Sequence, residues 1–260
     1  MYPWQIIVAL IQGLVEWLPI SSEGQAVFFL YNIGTVPVNE ALALVIWLHL
    51  GTALAVVARY PRTIFEVLTL KDRVLFKQLL IATVATAVMG VPLFFLITTE
   101  LPGDILNLLV GALLLVTAVV LYLPTRREAQ GDVQQRETDT KISTLTGLAQ
   151  GFTILPGLSR SGVTVSALLM QRVEKEKALR FSFLMSVPAV AGVLVLSILT
   201  GKAALPTIGI FDLALMEAIA FATGLASMEF LLRLARRISF WKLCIFIGAI
   251  AIVVGLPGLL

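Results

Sequence analysis

The sequence predicts an all-α membrane protein with six transmembrane helices plus two re-entrant helical hairpins, arranged as an inverted-topology repeat. Three observations predict it. Hydrophobic residues make up 58% of the 260 and charged residues only 13%, about half the charged share of a typical soluble domain. Six apolar stretches reach the roughly 20 residues that a helix needs to cross a bilayer. Two polar, glycine-containing segments resemble each other at a constant offset of 138 residues.

The six stretches are 41–59, 79–98, 105–123, 181–200, 210–232 and 241–259. Their hydropathy, and a mean of +0.97 over the chain, leave too few charges to wet the surface of a soluble body of this size. A buried helical core would need amphipathic helices to cover it, and the sequence offers none. The N-terminal run MYPWQIIVALIQG has neither a basic n-region nor a small-residue cleavage site, so no removable signal is expected. Cys244, the single cysteine, cannot form an intrachain disulfide and says nothing of redox compartment.

Seventeen of the 19 basic residues fall in four clusters. They are Arg59, Arg62, Lys71, Arg73 and Lys77; Arg126, Arg127, Arg136 and Lys141; Arg172, Lys175, Lys177 and Arg180; and Arg233, Arg236, Arg237 and Lys242. With six spans all four clusters lie on one side, which the positive-inside rule makes cytoplasmic. This placement also explains the net charge of +3 without nucleic acid. The polar run 124–142 reads as a solvated cytoplasmic loop. Of the two basic residues left over, Lys202 is an ordinary loop residue, whereas Arg160 sits in a semi-apolar motif.

The repeated segments are LIQGLVEWLPISSEGQAV (10–27) and LAQGFTILPGLSRSGVTV (148–165). Leu10, Gln12, Gly13, Ser21, Gly24 and Val27 match Leu148, Gln150, Gly151, Ser159, Gly162 and Val165. Pro19 and Pro156 interrupt them, and proline and glycine both break helices. Each segment therefore reads as a re-entrant hairpin, because irregular backbone at membrane depth must be satisfied by protein or water. Three spans separate the copies, so the second enters from the opposite face. Interrupted segments in corresponding positions of inverted halves point to a binding site at the midplane. The chain is thus expected to be one integral membrane domain, with repeat 1 about 1–123, the linker 124–142 and repeat 2 about 143–260.

The second motif, Pro156-Gly157-Leu158-Ser159-Arg160-Ser161-Gly162-Val163-Thr164, packs three hydroxyls and a guanidinium around two glycines. Arginine offers phosphate a planar fork of donors, and a helix N-terminus after a glycine turn favours anions. An arginine inside a membrane is costly and marks function, unless it snorkels or pairs with a carboxylate. In the first motif Gln12 and Glu16 are four apart and share one helix face. Glu16 could ligate a divalent cation or act as a general base, and Gln12 could ligate only through its amide oxygen. Ser21 and Ser22 lie at the turn, where a hydroxyl could attack phosphorus or bind it. Glu23 reads equally well as a solvated turn carboxylate. Carboxylate, arginine and hydroxyls together suit metal-assisted phosphoryl transfer.

These residues resemble the undecaprenyl pyrophosphate phosphatase family of the bacitracin-resistance type. Gln12, Glu16 and 18–24 match its first motif and 156–164 its second; Phe181-Ser182-Phe183-Leu184, Val187-Pro188 and Arg237-Ile238-Ser239-Phe240 also resemble family stretches. The resemblance implies hydrolysis of a polyprenyl diphosphate to its monophosphate, aided by a divalent metal such as Mg or Ca, at a site open to the extracytoplasmic side. It implies that Glu16 and Arg160 are catalytic, with Ser22 a candidate nucleophile; His49 joins them as a catalytic candidate only through a departure from the family pattern. Gln12, Ser21, Gln25, Gly157, Ser159, Ser161, Gly162 and Thr164 are then expected around the phosphate, and Glu16 with Gln12 at the metal. The partners are the polyprenyl diphosphate and membrane lipids; no nucleic acid is expected, and a homodimer is left open.

One departure bears on mechanism. Bacterial members of the family usually have His after the glycine of the first motif, where this chain has Gln25, and the family commonly has Gln before Leu-Gly, where this chain has His49, its sole histidine. Glutamine cannot shuttle a proton as an imidazole does. Either His49 takes over the titrating role, in which case Gln25→His should partly rescue its loss, or it is a hydrogen-bonding residue of its span. Glu217 and Glu229 match no motif and read as packing-paired or interfacial. The rival function is a transporter or flippase for an anionic phospholipid or small phosphate, because inverted repeats with broken helices are also built into transporters.

Overall fold

The structure, a computed structural model, describes residues 2–33, 38–96, 103–128, 136–201, 208–234 and 240–256. Among them are eleven α-helices, one 3-10 turn and no named strand. They are α1 (Pro3–Val15), α2 (Ser22–Asn32), α3 (Val38–Arg59), α4 (Pro61–Leu68), α5 (Arg73–Leu96), α6 (Gly103–Glu128), α7 (Thr140–Gly151), α8 (Arg160–Met170), α9 (Lys175–Thr200), α10 (Ile210–Leu234) and α11 (Phe240–Gly255), with the 3-10 turn at Phe152–Ile154 between α7 and α8. Five helices, α3, α5, α6, α9 and α10, contain segments long and apolar enough to cross a membrane. The reason for reading them as lipid-facing is visible on α5, where Leu80, Val84 and Val88 recur every fourth residue and are half exposed or more. Water would not tolerate such a stripe on a monomer.

The sixth expected span corresponds to α11, which has 16 residues and falls short of the spanning length, 257–260 lying outside the described residues. Both ends of the expected polar loop 124–142 are helical, because α6 continues to Glu128 and α7 starts at Thr140. Asp139 makes that start possible by accepting the Ile142 backbone N–H at 2.7 Å, as an N-cap aspartate does. Helix α4 was not anticipated; a proline at its first turn starts it and only Val67 is buried. The pairing expected of Glu229 is with Arg59, at 2.5 Å. Glu217 departs from expectation, since both its carboxylate oxygens are buried without a hydrogen-bond partner, against the backbone of Gly51.

Helix order repeats. Helices α1, α2, α3, α5 and α6 have counterparts in α7, α8, α9, α10 and α11 that begin 137 or 138 residues later. The packing crosses between the halves: α1 lies against α10, and α7 against α5. Close approach is bought by glycine, since a Cβ on Gly13 would meet the Thr223 hydroxyl at 1.9 Å, and one on Gly151 would meet Met89 Cβ at 2.4 Å. One buried core joins Trp17, Leu168, Phe183 and Leu184; a second joins Val8, Leu30, Leu44, Leu48 and Met216. Between them the turns of the two helical hairpins, α1–α2 and α7–α8, touch.

Candidate active site

Each hairpin turn ends in a serine that caps the following helix. Ser21 Oγ accepts the Gly24 N–H at 3.2 Å, and Ser159 Oγ accepts that of Gly162 at 3.1 Å. Ser21 takes a left-handed conformation, φ 57°, which costs an L-residue on the order of 1–3 kcal/mol. Gly157 has φ +107°, and a side chain there would strike the Val110 carbonyl. The turns meet where Ser161 Oγ donates to the Leu18 carbonyl at 3.1 Å.

The Glu16 carboxylate stands at this junction and is 4% exposed. Its Oε1 accepts from Arg160 Nη2 at 2.5 Å. Its Oε2 accepts from Ser22 Oγ at 2.5 Å and from Gln12 Nε2 at 2.8 Å. His49 Nε2, reaching in from α3, lies 3.5 Å from the same oxygen. The other ring nitrogen, Nδ1, is 2.7 Å from the Val45 carbonyl, which can only accept, so Nδ1 carries a proton. Nε2 is then free to accept a proton, and once protonated it faces the carboxylate.

Arg160 spends one N–H on Glu16 and one on the Ser182 carbonyl, 3.3 Å from Nη1. Its guanidinium carbon sits 5.8 Å from the Trp17 ring centroid, and Trp17 is fixed by its indole N–H on the Gly224 carbonyl and by the edge of Phe183. Among the described residues the hydrogen bonds of Arg160 use two of its five guanidinium N–H groups. Thr164 Oγ1 is 2.6 Å from Ser182 Oγ, and the Ser159 N–H donates to Thr117 Oγ1 at 3.2 Å.

A cavity of about 870 Å³ opens beside these groups, lined by Glu16, Ser21, Ser22, His49, Ser159 and Arg160. Its remaining wall is mainly apolar, with Val91 and Phe94 from α5 and Val195, Leu196 and Leu199 from α9. Glu23 also lines it, so that carboxylate is a cavity residue rather than a purely solvated one. Gln12, Gly157, Ser161, Gly162 and Thr164 stand behind the lining, as supports of the turns. Gln25 is elsewhere: its amide donates to the Ile20 carbonyl at 2.9 Å and it faces Val110 and Ile250. Sequence reasoning gave no role to Ser182, Thr117 or Trp17. Ser182 had a signal, in the Phe181–Leu184 stretch; Thr117 had none, because a threonine inside an apolar span looks like any other.

Of the side chains around Arg160 that could ligate a metal, Glu16, Ser22 and Gln12 can offer oxygen, the kind of donor that Mg and Ca prefer, and His49 offers nitrogen. The Gln12 amide oxygen is buried with no hydrogen-bond partner, which fits a ligand atom awaiting a cation. Among the described residues no group of three or more His, Cys, Asp and Glu could hold a metal by itself, so substrate oxygens would have to complete any such site, as is usual for Mg.

The family model described as Bacitracin resistance protein BacA matches residues 5–253. This chain belongs to the BacA family. Similar members include the undecaprenyl-diphosphatase of Methanothrix thermoacetophila, 40% identical over 95% of this chain and 94% of that protein. That of Methanopyrus kandleri is 36% identical over 98% of this chain and 97% of that protein. A bacterial relative with the same name, from Rhodopirellula baltica, is 33% identical over 96% and 97%. The BacA match covers both hairpins and every helix that lines the cavity.

Proposed function

We propose that this chain is a multi-pass membrane phosphatase that hydrolyses an undecaprenyl-type polyprenyl diphosphate to the monophosphate and phosphate, recycling the lipid carrier for surface glycan synthesis. The observation that carries it is the Glu16–Arg160–Ser22–His49 cluster in the lining of a cavity whose wall is otherwise mainly apolar. The cluster suits a diphosphate and the apolar wall a prenyl chain. Membership of a family whose curated members are named undecaprenyl-diphosphatase supports the same reading.

In this reading Ser22 Oγ attacks the terminal phosphorus and its proton passes to Glu16 Oε2, to which it is already hydrogen-bonded. The bond from that phosphorus to the bridging oxygen breaks, and prenyl monophosphate leaves. Water then attacks the phosphoserine with His49 placed to take its proton; the P–Oγ bond breaks, Ser22 Oγ recovers the proton held on Glu16 Oε2, and inorganic phosphate leaves. Arg160 gathers the charge of the equatorial oxygens. Glu16 and Gln12 would hold a divalent ion, Mg or Ca, whose charge would offset that of the phosphates.

The two hairpins enter from opposite faces as re-entrant elements, and six helices, α11 being the shortest, span the bilayer as one domain. The basic loops lie in the cytoplasm and the cavity opens to the extracytoplasmic side. The duplicated helix order supports this arrangement, and it equally suits a transporter. Phosphate release from farnesyl or undecaprenyl diphosphate by purified protein, with and without Mg or Ca, tests the reading. Lipid flux across sealed vesicles without hydrolysis would overturn it in favour of transport.

A further inference from the structure

The repeat pairs Gln12 with Gln150, each followed by a glycine packed against a helix of the other half. The two side chains share an unusual state. Both are buried, at 0% and 3% exposure. Each donates its Nε2 within the protein, Gln12 to Glu16 at 2.8 Å and Gln150 to Thr86 Oγ1 at 3.1 Å. Each leaves its amide oxygen without a partner. One orphan carbonyl could be an accident of packing; the same orphan at both repeat positions is a property of the fold. Gln12 has the cluster around Glu16 to explain it, but Gln150 belongs to no such cluster.

Gln150 lines the same cavity as Arg160, in a polar patch with Thr83, Thr86 and Thr153. The three threonine hydroxyls are all satisfied by backbone carbonyls, those of Leu79, Ala82 and Gln150 respectively. Thr86 also fixes which way the amide points. Its single proton is directed at the Ala82 carbonyl, 2.8 Å away, and near that of Gly147 at 3.1 Å. Turning the amide over would set oxygen against oxygen unless Thr86 gave up those bonds. The unsatisfied atom is therefore an acceptor. Leaving a buried acceptor without a donor is costly, and a ligand that donates to it offsets that cost. The patch carries no charge and a carbonyl oxygen repels bare phosphate oxygens, so of the groups that the proposed hydrolysis brings into the cavity, an O–H donor suits it.

We propose that Gln150 is a ligand-binding residue of this cavity, accepting a hydrogen bond from an O–H group that takes part in the cleavage, with Thr86 as its orienting partner. The proposal rests on the phosphatase reading. Two sources share this chemistry, the hydrolytic water and the hydroxyl of a singly protonated phosphate. A neutral glutamine that orients water is a recurrent device in phosphoryl transfer.

The experiment uses the purified full-length protein, farnesyl diphosphate and methanol as a competing acceptor. Gln150→Leu and Gln150→Met remove the amide, and Thr86→Val removes its anchor without touching it. Both Gln150 variants are expected to lose about tenfold or more in kcat, with Thr86→Val losing less and melting temperatures close to the parent's. If water is the ligand, the ratio of methyl phosphate to inorganic phosphate rises and KM holds. If protonated phosphate is the ligand, that ratio holds and inhibition by inorganic phosphate weakens, most at acidic pH. An active parent with Gln150→Leu and Gln150→Met kinetically indistinguishable from it overturns the role of Gln150. So does a loss of kcat that disappears once activity is normalised to folded protein. A parent that releases no phosphate overturns the phosphatase reading itself, and this inference with it.

Discussion

Arg160 Nη2 lies 2.5 Å from Glu16 Oε1, across 144 residues of chain and between the two hairpin turns. The pair is nearly buried, at 13% and 4% side-chain exposure. It joins the halves of the repeat and lines the cavity, so its removal should be felt in stability as well as in activity.

Arg160→Lys keeps the charge but loses the fork that binds Glu16 and the Ser182 carbonyl and that, in the proposed reaction, also holds phosphate. It is expected to cost about 2–4 kcal/mol of transition-state stabilisation, the loss typical of removing one oxyanion donor. Steady-state phosphate release measures it. Activity within threefold of the parent would remove Arg160 from the phosphate clamp.

Glu16→Gln should abolish turnover, since the side chain can no longer accept the Ser22 proton. Folding should suffer as well, because Arg160 is left buried without its counter-charge. Breaking a buried pair from one side costs on the order of 3–5 kcal/mol. Thermal unfolding in detergent should show a lower melting temperature, and the double variant Glu16→Leu/Arg160→Leu should recover much of it while staying inactive. A single variant as stable as the parent would mean that the pair is not formed in the working protein.

His49→Gln should reduce activity and flatten the limb of the pH–rate profile that an imidazole contributes. The position of Gln25 changes the expectation for rescue. Gln25 is committed to the Ile20 carbonyl and faces away from the cavity, so adding Gln25→His to His49→Gln should restore little. Recovery to within threefold of the parent would show that a side chain at position 25 reaches the substrate.

Cysteines at 134 and 207, in a Cys244→Ser background, should be labelled from the cytoplasmic and extracytoplasmic sides respectively. Both positions lie outside the described residues, and the test needs only their sidedness. Labelling from one side would contradict the six-span arrangement and the inversion with it.

Composition and local pattern were sufficient for the all-helical membrane class, for the two broken segments and for the duplication, because each is written in short-range features: apolar run length, proline and glycine breaks, and a fixed offset. The motifs also singled out Glu16 and Arg160 as candidates for the chemistry, since a carboxylate and a guanidinium are conspicuous in apolar surroundings, and the family resemblance added Ser22. What tertiary structure decided is which of them meet. His49 and Gln25 look exchangeable on the page, yet only His49 faces Glu16, a consequence of how α3 crosses the hairpin and not of residue type. Ser161 and Thr164 look like phosphate ligands, but their hydroxyls are spent on the Leu18 carbonyl and on Ser182. Gln150 is legible only as a repeat match. Its unpartnered oxygen depends on Thr86, 64 residues away, and on the close packing of α7 against α5. Hydrogen-bond satisfaction is a property of contacts between distant segments, and one-dimensional spacing does not encode it.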